Sequence, residues 1–259
     1  MKLTLLGTGT SFGVPQVGCD CEVCRSSDPR DRRMRTGAIV ETSGGTRLLI
    51  DTPPELRLQL VAARCSSIDA LLITHDHADH THGLDDIRGL TVRRSSPLPV
   101  FGPAEALASL AGKFPYVFDQ CVRPLPGTSK PEGLARAISP GEQVSIGDAV
   151  IEAVEVPHGP IRVFGYRIGP LAYVTDAKSV PDAALERLRG VSVLVLNALW
   201  RRPHPTHLSF SEAVDVARAV GARRTLLTHL THEISHAALA AELPEGIEPA
   251  YDGMVVNVD

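Results

Sequence analysis

Aromatic residues make up only 4% of this 259-residue chain, which has a single tryptophan. Long apolar runs are missing as well. No segment approaches the ~20 consecutive apolar residues of a membrane-spanning helix, and the N-terminal MKLTLLGTGTSFG is too briefly apolar for the core of a secretory signal. A cytoplasmic protein that neither spans nor enters a membrane is therefore expected. Basic charge is not in excess, since 26 Lys and Arg face 30 Asp and Glu for a formal net charge of -4. That balance argues against a surface dominated by attraction to nucleic acid, although a local basic groove could hide within the total, and it favours a small, mobile substrate. The five cysteines are odd in number and three crowd together at Cys19, Cys21 and Cys24. This is no disulfide framework, and metal binding is the better reading of the cluster. Cys65 and Cys121 stand alone, as small core hydrophobes commonly do in a reducing compartment.

What is present is an ordinary globular composition, 43% hydrophobic, in a length that suits one compact domain over residues 1–259. Segments rich in Val, Ile and Leu recur between turn signals: LTLLG, GAIVET, TRLLID and ALLIT, then PVFG, AVIEAVEV, RVFGYRI, LAYVTD, VSVLVLN, RTLLTH and MVVNV. These read as strands. Ser43-Gly44-Gly45-Thr46 between two of them predicts a hairpin, so part of the sheet structure is antiparallel. Helical patterns appear at PELRLQLVAA, AEALASLAG, PDAALERLRG, SFSEAVDVARAVG and ISHAALAAEL, several opening on Pro or Ser. Helices interspersed with hairpins and long strand runs predict two mixed β-sheets flanked by helices, an αββα sandwich of the α/β (α+β) class. The Pro-rich stretch 122–140 reads as a surface loop.

Residues 71–88, LLITHDHADHTHGLDDIR, hold His75, His77, His80 and His82 with Asp79 among them. Side chains alternate along a strand, so His75 and His77 share one face at the end of LLIT and can share one metal ion. A turn into a helix would set Asp79 and His80 at its start, within reach of a second ion. A solvated, His-rich loop is the bland alternative, but the order H-x-H-x-D-H is rare by chance. Further candidate ligands stand at the ends of other strands: His158, Asp176 and His229. A carboxylate can bridge two cations while imidazoles complete their shells.

Taken in order, this set resembles the metallo-β-lactamase superfamily across essentially the whole chain. The resemblance implies the αββα sandwich and a centre of two divalent ions, with His75, His77 and His158 on one, Asp79, His80 and His229 on the other, and Asp176 bridging. Asp51, ending TRLLID, resembles the buried aspartate behind that centre, though an N-cap for the helix near Pro53 and Pro54 explains it nearly as well. Within the superfamily, GTGTSFGVPQVGCDCEVC, LTHLTH and the closing YDGM are similar to the PhnP-like phosphodiesterase branch. That implies a structural zinc ion held by Cys19, Cys21, Cys24 and His232, in a Cys-rich loop at about residues 10–36. Three thiolates and an imidazole close a tetrahedral shell and leave no vacancy for substrate. Zinc there would tether the N-terminal loop to the segment that carries His229.

Two divalent ions ~3.5 to 4 Å apart lower the pKa of a bridging water toward neutrality and clamp a phosphoryl group for in-line attack by the resulting hydroxide. Zn2+ and Mn2+ both suit a His and Asp ligand set. The leaving alkoxide needs a proton, and histidine is the usual donor near neutral pH. RRPHPTHLSF offers His204 and His207, of which His207 matches the position of the family's proposed general acid. His207 and Asp79 are thus the expected catalytic residues. Arginine suits bidentate phosphate contact, so Arg88, together with His204, is a candidate for substrate binding, and both could equally be solvated surface residues.

The expected function is a metal-dependent phosphodiesterase acting on a small cyclic or nucleotide-like phosphodiester. An RNA- or tRNA-processing nuclease is the nucleic-acid alternative, but neither an arm insertion nor a net basic balance is present to hold the backbone. The cysteine loop and the candidate acid weigh against a β-lactam or thioester hydrolase, and His77 stands where diiron oxygen or nitric oxide reductases carry a carboxylate. Nucleic acid and membrane are not expected partners, and a homodimer rests on the resemblance alone.

Overall fold

Leu48 and Ile50 of one short strand point into one apolar core while Leu49 between them points into another. This two-residue alternation, repeated strand after strand, builds the layers. The computed structural model describes residues Met1–Asp259. Its strands are β1 (Lys2–Gly7), β2 (Gly37–Glu41), β3 (Arg47–Ile50), β4 (Ala70–Leu72), β5 (Leu98–Gly102), β6 (Gly133–Ala137), β7 (Gln143–Ile146), β8 (Ala149–His158), β9 (Ile161–Ile168), β10 (Leu171–Val174), β11 (Val193–Asn197), β12 (Arg224–Thr228), β13 (Ile247–Pro249) and β14 (Val255–Asn257). They form two seven-stranded sheets, β14-β1-β2-β3-β4-β5-β6 and β13-β12-β11-β10-β9-β8-β7. Each sheet is mixed. The β14 to β3 run and the β7 to β10 run are antiparallel, whereas β3 to β6 and β10 to β13 are parallel.

The helices are α1 (Leu56–Ala62), α2 (Ala78–Thr81), α3 (Arg88–Thr91), α4 (Ala104–Lys113), α5 (Pro115–Phe118), α6 (Asp182–Leu188), α7 (Phe210–Val220) and α8 (His236–Glu242). One core, with Leu5, Val40, Tyr166, Tyr173 and Val195, lies between the sheets. A second packs α6, α7 and α8 on the outer face of the second sheet, and a third packs α1, α4 and α5 on the outer face of the first. That is the expected αββα sandwich. The SFSEAVDVARAVG pattern becomes α7 because Ser209 and Glu212 cap each other's backbone N–H groups and Gly221, at φ 72°, ends the helix in the left-handed region. None of the helices is long and apolar enough to cross a membrane.

The hairpin at 43–46 is present: β2 and β3 are antiparallel, and the Thr42 N–H donates to the Thr46 carbonyl at 2.9 Å. The loop expected over 122–140 needs correction, because 133–137 is the edge strand β6, running parallel to β5 with Gly133 opposite Leu98. Its side chains beyond Gly133 are exposed, so no apolar alternation marks it, and backbone pairing alone makes it a strand. The short edge strands β7 and β13 also escaped the sequence reading, being only four and three residues long.

The functional residues gather beyond the C-terminal ends of β3, β4, β8, β10 and β12, where open parallel sheets leave room for ligands. Two cross-sheet hydrogen bonds fix this end. The Tyr166 hydroxyl donates to the Ile73 carbonyl at 2.5 Å, and the Phe164 N–H donates to the Thr74 carbonyl at 3.0 Å.

Candidate metal centre

β4 ends at Leu72, two residues before Thr74, and His77, extended in backbone, precedes the single turn of α2. The expected geometry follows: His75 and His77 lie on one side, with Asp79 and His80 in the turn. The folded chain then assembles three ligand clusters there, in each of which the ligand atoms lie within 4.8 Å of one another: His75, His77, His158 and Asp176; Asp79, His80 and His229; and Asp176, His207 and His229. Asp176 joins them. Its Oδ2 is 3.9 Å from His75 Nε2, 3.9 Å from His158 Nε2, 3.5 Å from His229 Nε2 and 3.1 Å from His207 Nε2, while its Oδ1 is 3.4 Å from His80 Nε2.

Whether these residues suit cations is tested by atoms that lack partners. The Nε2 atoms of His75, His80 and His229 are all buried without a hydrogen bond, an expense that ions sharing those lone pairs would remove. The Nδ1 atoms of His75, His80 and His158 are held from behind, whereas that of His229 has no partner. His80 Nδ1 is 2.8 Å from Asp51 Oδ2, His75 Nδ1 is 3.0 Å from Thr74 Oγ1, and His158 Nδ1 is 2.9 Å from the Thr206 carbonyl. Such contacts orient the rings so that Nε2 faces the site. Asp51 is fully buried and accepts from both the Thr74 N–H and its hydroxyl, each at 2.8 Å, so its carboxylate lies behind the centre and caps no helix. The donor set and the fold both imply divalent metal ions, and the clusters fit two of them.

Electrostatics agree with the ligand chemistry at His75 and His77. At His80 burial is outweighed by the carboxylates of Asp176 and Asp51, which hold the ring well above the ordinary imidazole range, so a cation there would displace a proton. Burial first, and His80 second, holds His75 well below the ordinary imidazole range, and burial lowers His77 as well, so both rings are neutral and have a free lone pair. Burial would raise Asp176, but the charges of His229 and His80 outweigh it and keep the carboxylate ionised. Burial pushes His207 down to about 4, against the upward pull of its Asp176 contact.

The backbone contributes a feature no composition shows. Of the four non-glycine residues with positive φ, three are Asp51 at 61°, Asp176 at 59° and His229 at 59°. Strain of this kind persists where surrounding structure over-determines it, and here it falls within two residues of a strand end, aiming Asp176 and His229 at the site and Asp51 at the back of His80. The Asn197 side chain holds the loop after Asp176 by accepting from the Ala177 N–H at 2.7 Å and donating to its carbonyl at 3.0 Å. Thr74, Thr206 and Asn197 were missed from the sequence. Only the Thr directly before His75 carried a hint, its hydroxyl being adjacent to a ligand.

A fourth cluster stands apart. Cys19, Cys21 and Cys24 place their Sγ atoms 3.2, 3.3 and 3.5 Å from His232 Nδ1. The Cys24 N–H is the chief influence lowering the Cys21 thiol to about 6, whereas burial raises Cys24 to about 11. Arg33, fully buried, donates to the Thr231 carbonyl and, at 3.0 Å, to the Ile234 carbonyl, so the same two segments are tied beside the thiols. His204 meets His207, their Nδ1 atoms 3.2 Å apart with the Thr206 hydroxyl beside both. Arg88 joins none of the clusters. Its guanidinium is taken up by Asp85 at 2.7 Å and the Ser129 carbonyl at 2.7 Å. Cys65 packs against the apolar layer beneath α1, and Cys121 is exposed.

Residues 46–230 match the family described as Beta-lactamase superfamily domain. Over the whole chain the structure resembles that of a diphosphatase from the PhnP family, at 38% identity and a TM-score of 0.91, covering 98% of that protein. A Porphyromonas gingivalis protein named octanoyltransferase is 38% identical over 264 residues, and the chain spans only 52% of its length. Zinc-bound PqqB from Methylobacterium extorquens shares the fold at 19% identity and a TM-score of 0.81.

Proposed function

The chain belongs to the β-lactamase superfamily and within it to the PhnP family, a metal-dependent hydrolase by fold and ligand set, and we propose that it cleaves a small cyclic or nucleotide-like phosphodiester. The observation that carries this reading is Asp176, a buried carboxylate that groups with His75, His77 and His158, contacts His207, and lies 3.4 Å from His80 and 3.5 Å from His229 of the other cluster. His75, His77 and His158 would hold one divalent ion, and Asp79, His80 and His229 the other, with Asp176 between them. Zn2+ and Mn2+ both suit these donors. When bound, such ions supply the positive charge that activates water and stabilises the phosphoryl oxygens.

The chain's own residues do the rest. Asp51, Thr74 and Thr206 orient the imidazoles, and Tyr166 and Phe164 anchor the loop that carries His75. His207 donates the proton for departure: as the P–O bond breaks, the electron pair stays on the leaving oxygen, which takes the proton from the imidazole. A ring held near 4 is neutral at pH 7, but an anionic phosphoryl group beside it favours the protonated form, so substrate arrival is what charges this acid. Cys19, Cys21, Cys24 and His232 would hold a structural zinc ion, which would tie the N-terminal loop to the segment after His229.

The 38% identity to a diphosphatase supports a second reading, in which the bond cut is a phosphoanhydride and the leaving phosphate needs less protonation. Turnover of zinc- and manganese-loaded protein on a 1,2-cyclic ribose phosphate, a 2′,3′-cyclic nucleotide, a dinucleoside diphosphate, RNA and a β-lactam tests both. Cleavage of either cyclic ester supports the first reading, and cleavage of the anhydride alone the second. Hydrolysis of only the β-lactam, or only RNA, would overturn both.

A further inference from the structure

The chain's only tryptophan and the only exposed one of its six phenylalanines line the same cavity, about 200 Å³ in volume, beside the metal centre. Phe12 is 65% exposed. In a chain with 4% aromatic residues, leaving one ring in water on a cavity that also holds the sole tryptophan calls for a ligand. His207 and His229 form another wall, so the cavity opens directly onto the reacting centre on the side of the proton donor.

Trp200 is held rigidly. The Arg202 guanidinium carbon lies 4.9 Å from its ring centre, His204 meets it edge-on at 5.1 Å, and Arg202 is itself bonded to Glu233 at 2.6 Å. No Lys or Arg lines the cavity, and its one carboxylate, Glu233, is taken up by Arg202 behind the Trp200 ring. A second phosphate would find no free cation there. What the walls offer is apolar ring surface plus neutral polar groups, chiefly Gln16, whose side-chain amide makes no hydrogen bond within the protein. The Gln16 backbone N–H donates to Cys24 Sγ at 3.4 Å, so the cysteine loop fixes its position.

We propose that this cavity is the leaving-group subsite and that it binds one nucleobase, its ring against Phe12 and Trp200 and its edge read by Gln16, which makes the substrates mononucleotide esters. The proposal rests on the phosphodiesterase reading for the word substrate, but binding tests it without turnover. A base has a π-face to stack and donors and acceptors for one amide. The volume accommodates a single ring system and excludes an oligonucleotide.

Because Trp200 is the sole tryptophan, its fluorescence reports the subsite directly. Metal-loaded protein is titrated with adenosine 5′-monophosphate and with ribose 5-phosphate, and the affinities are checked by calorimetry. Saturable quenching by the nucleotide and none by the sugar phosphate is the expected result, with the nucleotide the tighter ligand. Phe12→Ala should weaken nucleotide binding by roughly 5- to 150-fold, the cost of one lost stacking partner, while Phe12→Tyr restores it. Gln16→Ala should lower the preference among different bases. Equal affinity for the two probes, or nucleotide binding untouched in Phe12→Ala, overturns the subsite. Nucleotide binding with no phosphodiester turned over would instead overturn the proposed function and leave the subsite standing.

Discussion

Asp51 Oδ2 lies 2.8 Å from His80 Nδ1, both residues fully buried, so a carboxylate that never faces the cavity sets the direction in which a ligand ring points. Replacing Asp51 with Asn keeps the shape and removes the charge. Metal titration of Asp51→Asn should show about 10- to 100-fold weaker binding of one of the two ions, as is usual when a partner behind a metal-binding histidine is lost. Unchanged affinity for both would mean that Thr74 alone orients the motif.

Asp176 belongs to two of the three clusters and lies 3.4 Å from His80 and 3.5 Å from His229 of the third, so its loss should be felt at both ions. Asp176→Ala is expected to bind less than half the parent's catalytic metal by elemental analysis and to lose turnover, with the circular dichroism spectrum retained. Two ions still bound at full activity would remove Asp176 from the bridging role.

The cysteine cluster predicts a different signature. Cys21→Ser should cost one zinc per chain and lower the Tm by several degrees, since an ion bound only by the native fold adds to stability. The catalytic pair should stay loaded. Unchanged zinc content would refute the site.

His207 touches Asp176 and can act as proton donor or as a further ligand. If it is the donor, His207→Ala keeps both catalytic ions and loses ~10² to 10⁴-fold in turnover on an alkyl ester, but approaches the parent rate on a nitrophenyl ester whose leaving group needs little protonation. Loss of metal, or equal losses on both esters, would assign His207 to the metal or to binding, and His204 should then be tested by the same comparison.

A pH effect on stability is expected at a carboxyl outside the ligand clusters. Burial raises the Asp252 carboxyl to about 7, although it accepts from the Thr8 hydroxyl at 2.7 Å and the Met34 N–H at 2.6 Å. A carboxyl raised on folding binds its proton more tightly in the native state. Its contribution is therefore whole below the unfolded value near ~4 and is lost as pH rises through about 7. Asp252→Asn should match the parent at pH 4 and gain on it by up to about 1.4 kcal/mol per pH unit across that window. Parallel denaturation curves from pH 4 to 8 would contradict the raised value.

Much of this protein was legible in one dimension. Apolar alternation marked most strands, Ser209 and Gly221 bracketed α7, and H-x-H-x-D-H announced a metal site, because each signal is local and follows from the period of a strand or the chemistry of a side chain. The edge strand β6 was not legible, because its pairing with β5 is made by backbone groups that every sequence has. Nor were Thr74, Thr206 and Asn197, whose partners come from other segments.

The amino-acid sequence by itself determined the donor atoms available and the strand ends on which they stand. Only the tertiary structure decided which donors meet. His158 and Asp176 converge on His75 across 83 and 101 residues because two sheets stack with those strand ends side by side. Asp51, Asp176 and His229 reach the site through backbone angles that their own chemistry disfavours and that the surrounding packing imposes. That Phe12 and Trp200 line one cavity is likewise a product of the fold, since nothing in either local sequence refers to the other. The physical reason is range: propensity and periodicity act over a few residues, whereas a site is built from contacts whose loop-closure cost only the assembled core can offset.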